Sequence, residues 1–293
     1  MRVEACCQAL LEQILPAIDR EKTGICLDVG VGTFAFYCER FARLGFETVA
    51  IEPLPSQKLL RVCQNYQIHL IECCLSDLNG SQNLHLGTFA GFSNRNFSSL
   101  DPNWFGASNQ TKQVQSMTLS SLLDRLTTPK ITCLKLDIEG WESVVIKQFP
   151  ELPESSLPTA IVFEYGGGAN RQSRKAGWSS QFLSATRDCL SVLKHCGYGF
   201  SVIIDSAPDA KELIFDLQAS ALDLDAIFPA NSIYGNIISC RHFQDKKAEI
   251  SQICAFYYDG LVSRLVKAIL SNIWLLDGGQ NPRARKLSPK EKE

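Results

Sequence analysis

Hydrophobic residues in this chain follow two rhythms that alternate along its length. Leu10, Leu11, Ile14, Leu15 and Ile18 recur at near-helical spacing within residues 1–20, with Glu4 and Glu12 among them, which predicts an amphipathic helix. A short continuous run, Ile25-Cys26-Leu27 with Val29 behind, then reads as a buried strand. It enters a loop holding Asp28, Gly30 and Gly32, and a helix through Glu39, Arg40 and Phe41. The alternation continues with a strand over 47–52, stopped by Pro53 and Pro55, and a helix from Ser56, its N-cap, to Tyr66. A third strand spans 68–74 and closes on a turn cluster at 76–80. Residues 81–116, rich in Ser, Asn, Gly and Phe, carry no helical period and read as a long irregular segment. Beyond it come a short helix over 119–126, begun near Thr118, a strand over 131–136, and a helix ending before Pro150. A fifth strand, 160–163, reaches Glu164 and the glycines 166–168; a helix over 179–196 and strands at 200–204 and 233–239 follow. Strands alternating with helices predict an α/β fold, with a mostly parallel sheet covered on both faces.

Composition narrows the function classes. The 293 residues are 45% hydrophobic and 20% charged, ordinary for a soluble globular chain, and the net charge of −2 gives no reason to expect nucleic acid or an anionic membrane as partner. No signal peptide is evident, and no apolar run reaches the roughly 18–20 residues of a membrane span. Leu261 to Leu276 is interrupted by Arg264 and Lys267 and reads as a core-packed helix. The twelve cysteines lack zinc-ligand spacing and read as small core residues of a reduced, cytoplasmic protein. The expected layout is an N-terminal helix over 1–24, one α/β domain over 25–245, a C-terminal helix over 246–280, and a charged, disordered tail over 281–293. The oligomeric state is left open.

The chemistry gathers at strand ends. Ligands of open α/β sheets bind at the carboxyl ends of the strands. There the sequence places Asp28, Glu52, Asp137 with Glu139, Glu164, and Asp205. Glycines at a strand-to-helix turn admit positive φ and close approach of a ligand, so the first loop reads as a nucleotide pocket. Glu52, 24 residues after Asp28, can accept two hydrogen bonds from a ribose diol, which suits NAD or S-adenosylmethionine. Ala35 stands where the pyrophosphate-type pattern has its third glycine, and Asp28 sets a negative charge beside any phosphate. S-adenosylmethionine has no phosphate and carries cationic groups, so the D-x-G-x-G form favours a methyl donor. No GK[ST] follows, which removes the Walker alternative. An NAD-dependent oxidoreductase and a catalytically idle Rossmann-like binding module are the competing readings.

LDVGVGTFAFY, AIEP, the turn LSDLNG, and above all LKLDIEGWE followed by FEY resemble the FkbM-type methyltransferase family, over about residues 25–240. The resemblance implies a Rossmann-like class I methyltransferase fold with a seven-stranded, mostly parallel sheet. It also implies S-adenosylmethionine as donor, and methyl transfer to a hydroxyl of a sugar or secondary metabolite, hence a small-molecule or glycan acceptor. Carried over by position, Asp28, Gly30 and Gly32 surround the methionine part of the donor. Glu52 holds the ribose, the turn at Leu75 lies by the adenine, and Asp137 faces the reacting centre. Two departures stand out: Phe34 replaces the last glycine of the loop, and Trp141 replaces a smaller residue. A hydroxyl must lose its proton to attack, so Asp137, Glu139 and Glu164 are the candidate bases, Asp137 first. Glu139 and Glu142 can alternatively serve as the negative first turn of a helix. Three carboxylates can bind Mg²⁺, but their spacing does not demand it and no metal is predicted. His69, His85, His195 and His242 read as structural. Phe89, Phe92, Phe97, Trp104 and Phe105 form either an apolar lid or ordinary packing of the long segment.

Overall fold

The computed structural model describes residues 1–260, apart from 90–91, 105, 127, 129, 167–179, 208, 225, 229–233 and 244–245. The sequence predictions for the chain beyond 260, for Gly167 and Gly168, and for Phe105 and the Phe89 side chain lie outside the described residues. The helices are α1 (Val3–Ile18), α2 (Phe36–Arg43), α3 (Gln57–Tyr66), α4 (Leu119–Leu123), α5 (Glu142–Ile146), α6 (Ser180–His195) and α7 (Lys247–Ala255). The strands are β1 (Ile25–Val29), β2 (Glu47–Ile51), β3 (His69–Ile71), β4 (Cys74–Leu75), β5 (Gly80–Phe89) and β6 (Phe92–Ser93). They continue with β7 (Ala107–Met117), β8 (Ile131–Leu136), β9 (Ala160–Gly166), β10 (Phe200–Asp205), β11 (Leu213–Asp216) and β12 (Tyr234–Cys240).

The main sheet has eight strands in the order β11-β10-β12-β9-β8-β1-β2-β3, and its orientation is mixed. This corrects the expected seven-stranded, mostly parallel sheet. Strands β9, β8, β1, β2 and β3 run parallel, whereas β12 and β10 pair antiparallel to their neighbours, as does β11. The connection from β10 to β11 is too short for the crossover that a parallel pair needs. Strand β11 is only partly buried, and its apolar run Leu213-Ile214-Phe215 is short. The chain runs outward through β2 and β3, then returns to β8 on the other side of β1. The crevice at the carboxyl ends of β1 and β8 is therefore the switch point.

Period-2 alternation divides the core. Ile25, Leu27 and Val29 join Leu134, Leu136, Leu190 and Leu193 on the α6 side. Cys26, Cys133, Val162, Ile204 and Ile238 face α1, whose Leu10, Leu11, Ile14 and Leu15 are fully buried against them. Each such side chain contributes about 1.5–3 kcal/mol. All twelve cysteines are free, and eleven are buried, as small core residues would be. The predicted N-cap is present at Ser56, whose Oγ accepts from Leu59 N at 3.1 Å. No helix among the described residues is long and apolar enough to cross a membrane.

The segment 81–116 is not irregular. Strands β5 and β7 pair antiparallel over most of their length, from Gly80 opposite Ser116 to His85 opposite Thr111, within a second sheet ordered β4-β7-β5-β6. Its apolar core is small, built on Leu84, Val114 and Cys74, so both strands are largely polar and show no period. The predicted strand 68–74 splits between the two sheets, into β3 and β4. Leu75 therefore lies in a strand, paired with Met117, rather than in a turn. Strand β9 runs past Glu164 to Gly166, so Glu164 lies within it, opposite Asn236.

Candidate active site

The loop after β1 is locked onto the end of β8. Gly30 has φ +73°, and a Cβ there would lie 1.8 Å from the Asp137 carbonyl oxygen, so only glycine lets the two turns touch. Glu52 at the end of β2 holds the same loop: its Oε2 accepts from Gly32 N at 2.9 Å and its Oε1 from Leu54 N at 2.9 Å. Burial raises the Glu52 pKa, and these two bonds oppose the shift.

Parallel register sets Asp28 beside Lys135. Lys135 Nζ lies 3.6 Å from Asp28 Oδ1 and 3.1 Å from Asp137 Oδ2, and donates to Gly30 O at 3.3 Å. Burial works against the lysine charge, but Asp137 and Asp28 outweigh it and raise its pKa. Asp28 Oδ2 accepts from Cys38 N at 2.8 Å. Its Oδ1 is buried and finds no hydrogen-bond partner among the described residues. Burial raises the Asp28 pKa, against the pull of Lys135.

These groups border one cavity of about 460 Å³. It brings together Asp28, Gly30, Gly32, Glu52, Leu75, Asp137 and Glu139. Glu164 stands behind this wall, against a smaller cavity, yet carboxylate oxygens of Asp137, Glu139 and Glu164 all lie within 4.8 Å of one another. Glu139 sits at φ +57° in the turn before α5, not in that helix's first turn. Glu142 folds back to hold that turn, accepting from Ile138 N at 2.8 Å and Gly140 N at 3.0 Å. Burial pushes its carboxyl up to about 7, against those bonds. Burial, then Asp137 and Glu142, raises Glu139 well above the usual carboxylate range. Glu164 is raised in the same way by burial, Asp137 and Glu139.

Asp205 does not join the site: it is buried, accepting from Tyr165 Oη at 2.6 Å and Ala207 N at 2.6 Å. No histidine is among the described lining residues. Phe34 neither fills the loop nor packs on the sheet. It is 49% exposed at the cavity edge, stacked on Phe36 at 5.1 Å. Trp141 lines the cavity and donates to Ser76 Oγ at 3.2 Å. Of the expected aromatic lid, Phe97 lines the cavity, Phe92 faces solvent, and Trp104 packs edge-on against Phe182. The β5–β7 excursion walls one side: Asn96 Oδ1 accepts from Thr33 N at 3.0 Å, and Ser99 Oγ donates to Glu139 O at 2.7 Å.

Glu4 went unpredicted as a site residue. It reaches the cavity from α1 and accepts from Tyr37 Oη at 2.6 Å and Asn236 Nδ2 at 2.7 Å. Its signal is a carboxylate beside an apolar stripe, next to buried Val3 and one turn before buried Cys7. Lys135, a lone charge within an apolar strand, carries a similar signal.

Residues 25–200 match the family model of the methyltransferase FkbM domain. No curated protein matches the chain. Among solved structures, a Klebsiella pneumoniae protein provisionally described as an O-methyltransferase is 9% identical, with a TM-score of 0.38 over 80% of this chain and 81% of its own. The methyltransferase domain of bacterial CtHen1-C is 10% identical, with a TM-score of 0.36 over 81% of this chain and 100% of its own. Geranyl diphosphate C-methyltransferase of Streptomyces coelicolor A3(2), solved with Mg²⁺, geranyl diphosphate and S-adenosyl-L-homocysteine, is 11% identical, with a TM-score of 0.36 over 82% of this chain and 81% of its own.

Proposed function

Because this chain belongs to the FkbM methyltransferase family, we propose that it methylates a hydroxyl oxygen of a small molecule or glycan, with S-adenosylmethionine as donor. The observation that carries this reading is the convergence on one cavity of Asp28, Glu52 and the Asp137–Glu139 turn, from three neighbouring strand ends. The residues fit the donor. Asp28 lines the cavity with a carboxylate, the charge that suits the donor's amino group. Gly30 and Gly32 border the space for the methionine part. Glu52 retains acceptor capacity for a ribose diol, since each carboxylate oxygen can accept more than one bond. Leu75 offers an apolar surface to the adenine.

When bound, the donor supplies an electrophilic methyl group on a sulfonium. The protein's own task is to align the acceptor and take its proton. Asp137, Glu139 and Glu164 share that role. Asp137 is held by Lys135 Nζ at 3.1 Å. Glu139 lines the cavity with its pKa raised by burial, which suits a proton acceptor, and Glu164 stands behind it with its pKa raised by burial as well. Asp137 then orients the hydroxyl.

Calorimetry tests this reading. S-adenosylmethionine and its demethylated product should both bind, and NAD should not. Glu52→Ala should weaken donor binding about tenfold or more, as loss of charge-assisted bonds implies. Absence of binding by both methyl-donor forms would overturn the assignment.

A further inference from the structure

We infer that Phe34 and Phe36 form a stacking platform at the cavity mouth for an aromatic ring carried by the acceptor, which makes the acceptor a phenol-type small molecule. Two large apolar rings stand in water beside the site. Phe34 is 49% and Phe36 50% exposed, and both line the cavity. Their rings lie parallel, with centroids 5.1 Å apart and planes within 3° of each other. Of the eight large hydrophobic side chains exposed among the described residues, three, Phe34, Phe36 and Tyr234, border this one cavity. Scattered singly, such side chains need no explanation; gathered around the mouth of a pocket they mark a binding surface. The local backbone presents the pair. Ala35 between them has φ +57°, in the left-handed region that residues with a side chain rarely adopt, and it caps α2 without a side-chain hydrogen bond. Its own methyl is fully buried, while the rings on either side are open to solvent.

Size and charge choose the occupant. A cavity of about 460 Å³ is the size of a site for one drug-sized ligand. With the donor seated there, the body of an acceptor has to lie at the mouth, over the two rings. Asp28, Glu52 and Leu75 already answer the donor's amino group, ribose and adenine, so the donor has no need of the rim. Lys58 Nζ lies 5.2 Å from the centre of the Phe34 ring and sets a cation on the platform. A cation there favours an electron-rich ring, a phenol or its anion, over an electron-poor one. The chemistry of the hydroxyl agrees. A phenol ionises near the ~10 of tyrosine, against ~15.7 for water, so it asks less of a carboxylate base such as Glu139 than an aliphatic hydroxyl does.

The inference rests on the methyl-transfer reading in calling the ring's carrier an acceptor, and the test separates the two. The full chain, with and without saturating demethylated donor product, is titrated with 2-naphthol and followed by naphthol fluorescence. Saturable binding is expected in both states, and cyclohexanol, which has a hydroxyl but no aromatic face, should not compete at equal concentration. Phe34→Gly and Phe36→Ser should each weaken naphthol binding about three- to tenfold, the loss of one aromatic contact, while calorimetric affinity for the demethylated product stays unchanged and reports that the variants fold. Phe256→Ser, at a 74% exposed ring outside the cavity lining, should change neither. Failure of the unaltered chain to bind the demethylated product, with naphthol still held through Phe34 and Phe36, would count against the proposed function and not against the platform. Absence of saturable naphthol binding, binding indifferent to both variants, or a matching fall in product affinity would overturn the inference. So would a dimer in sedimentation that Phe34→Gly abolishes, which would assign the rings to a second copy of the chain.

Discussion

Lys135 is the charge on which the pocket floor balances. It lies buried between Asp28 and Asp137, and removing one partner of a buried ion pair costs far more than the pair itself contributes. Lys135→Met keeps most of the volume but leaves two neighbouring carboxylates without their cation. It should lower stability by about 3–5 kcal/mol in urea unfolding; a loss below about 1 kcal/mol would contradict the buried pairing. At this scale, of the charges that end apolar runs, Asp28, Glu52, Asp137 and Glu139 line the cavity and Glu164 stands behind it. The sequence misled at Asp205, a similar signal that serves Tyr165 and the backbone instead. Glu139 and Glu142 looked alike in sequence. The backbone tells them apart, because only Glu142 bends back onto Ile138 and Gly140. Glu4 was illegible as a site residue, because its partners Tyr37 and Asn236 are remote in the chain.

Elements with a clear period were found nearly to the residue. Strand β8 matches its predicted span, and α3 begins at its predicted cap. Ser56→Ala should cost about 1 kcal/mol of stability, as lost N-caps do, while calorimetric affinity for the demethylated donor product stays unchanged. A parallel fall in affinity would tie the cap to the pocket. The strands missed or mistaken share one cause. Strand β11 sits half-buried at a sheet edge, and β5 and β7 bury little on either face. Hydrogen-bonded pairing makes β5 and β7 with little apolar pattern to announce them, and β11 has only the short run Leu213-Ile214-Phe215. Yet the β5–β7 excursion contributes Asn96 and Phe97 to the cavity wall, so part of the site lay in the segment that looked least structured.

Across the whole molecule the buried acids dictate the response to pH. Burial raises the pKa values of Glu4, Asp28, Glu52, Glu139, Glu142 and Glu164 in the folded chain. As pH climbs, the unfolded chain releases these protons first and the folded chain keeps them, so stability falls. For Glu142 the window runs from 4.5 to about 7, worth about 3 kcal/mol at ~1.4 kcal/mol per unit. Asp19 works the other way. Despite burial, its bonds from Thr132 and Lys130 hold it below its usual 3.8, so its contribution is lost only in stronger acid. In metal-free buffer the melting temperature by scanning calorimetry should therefore be lower at pH 8 than at pH 5.5; an increase would contradict the burial of these groups. Helix α1 bears on how such a chain can be divided. It precedes the family-matched stretch of residues 25–200, yet covers the sheet face of Cys26, Cys133 and Val162 and supplies Glu4 to the cavity. A piece cut to the family's borders would carry the shared motifs but lack Glu4 at its pocket and leave an apolar face bare to water. The unit that can be transplanted is thus larger than the unit that can be recognised.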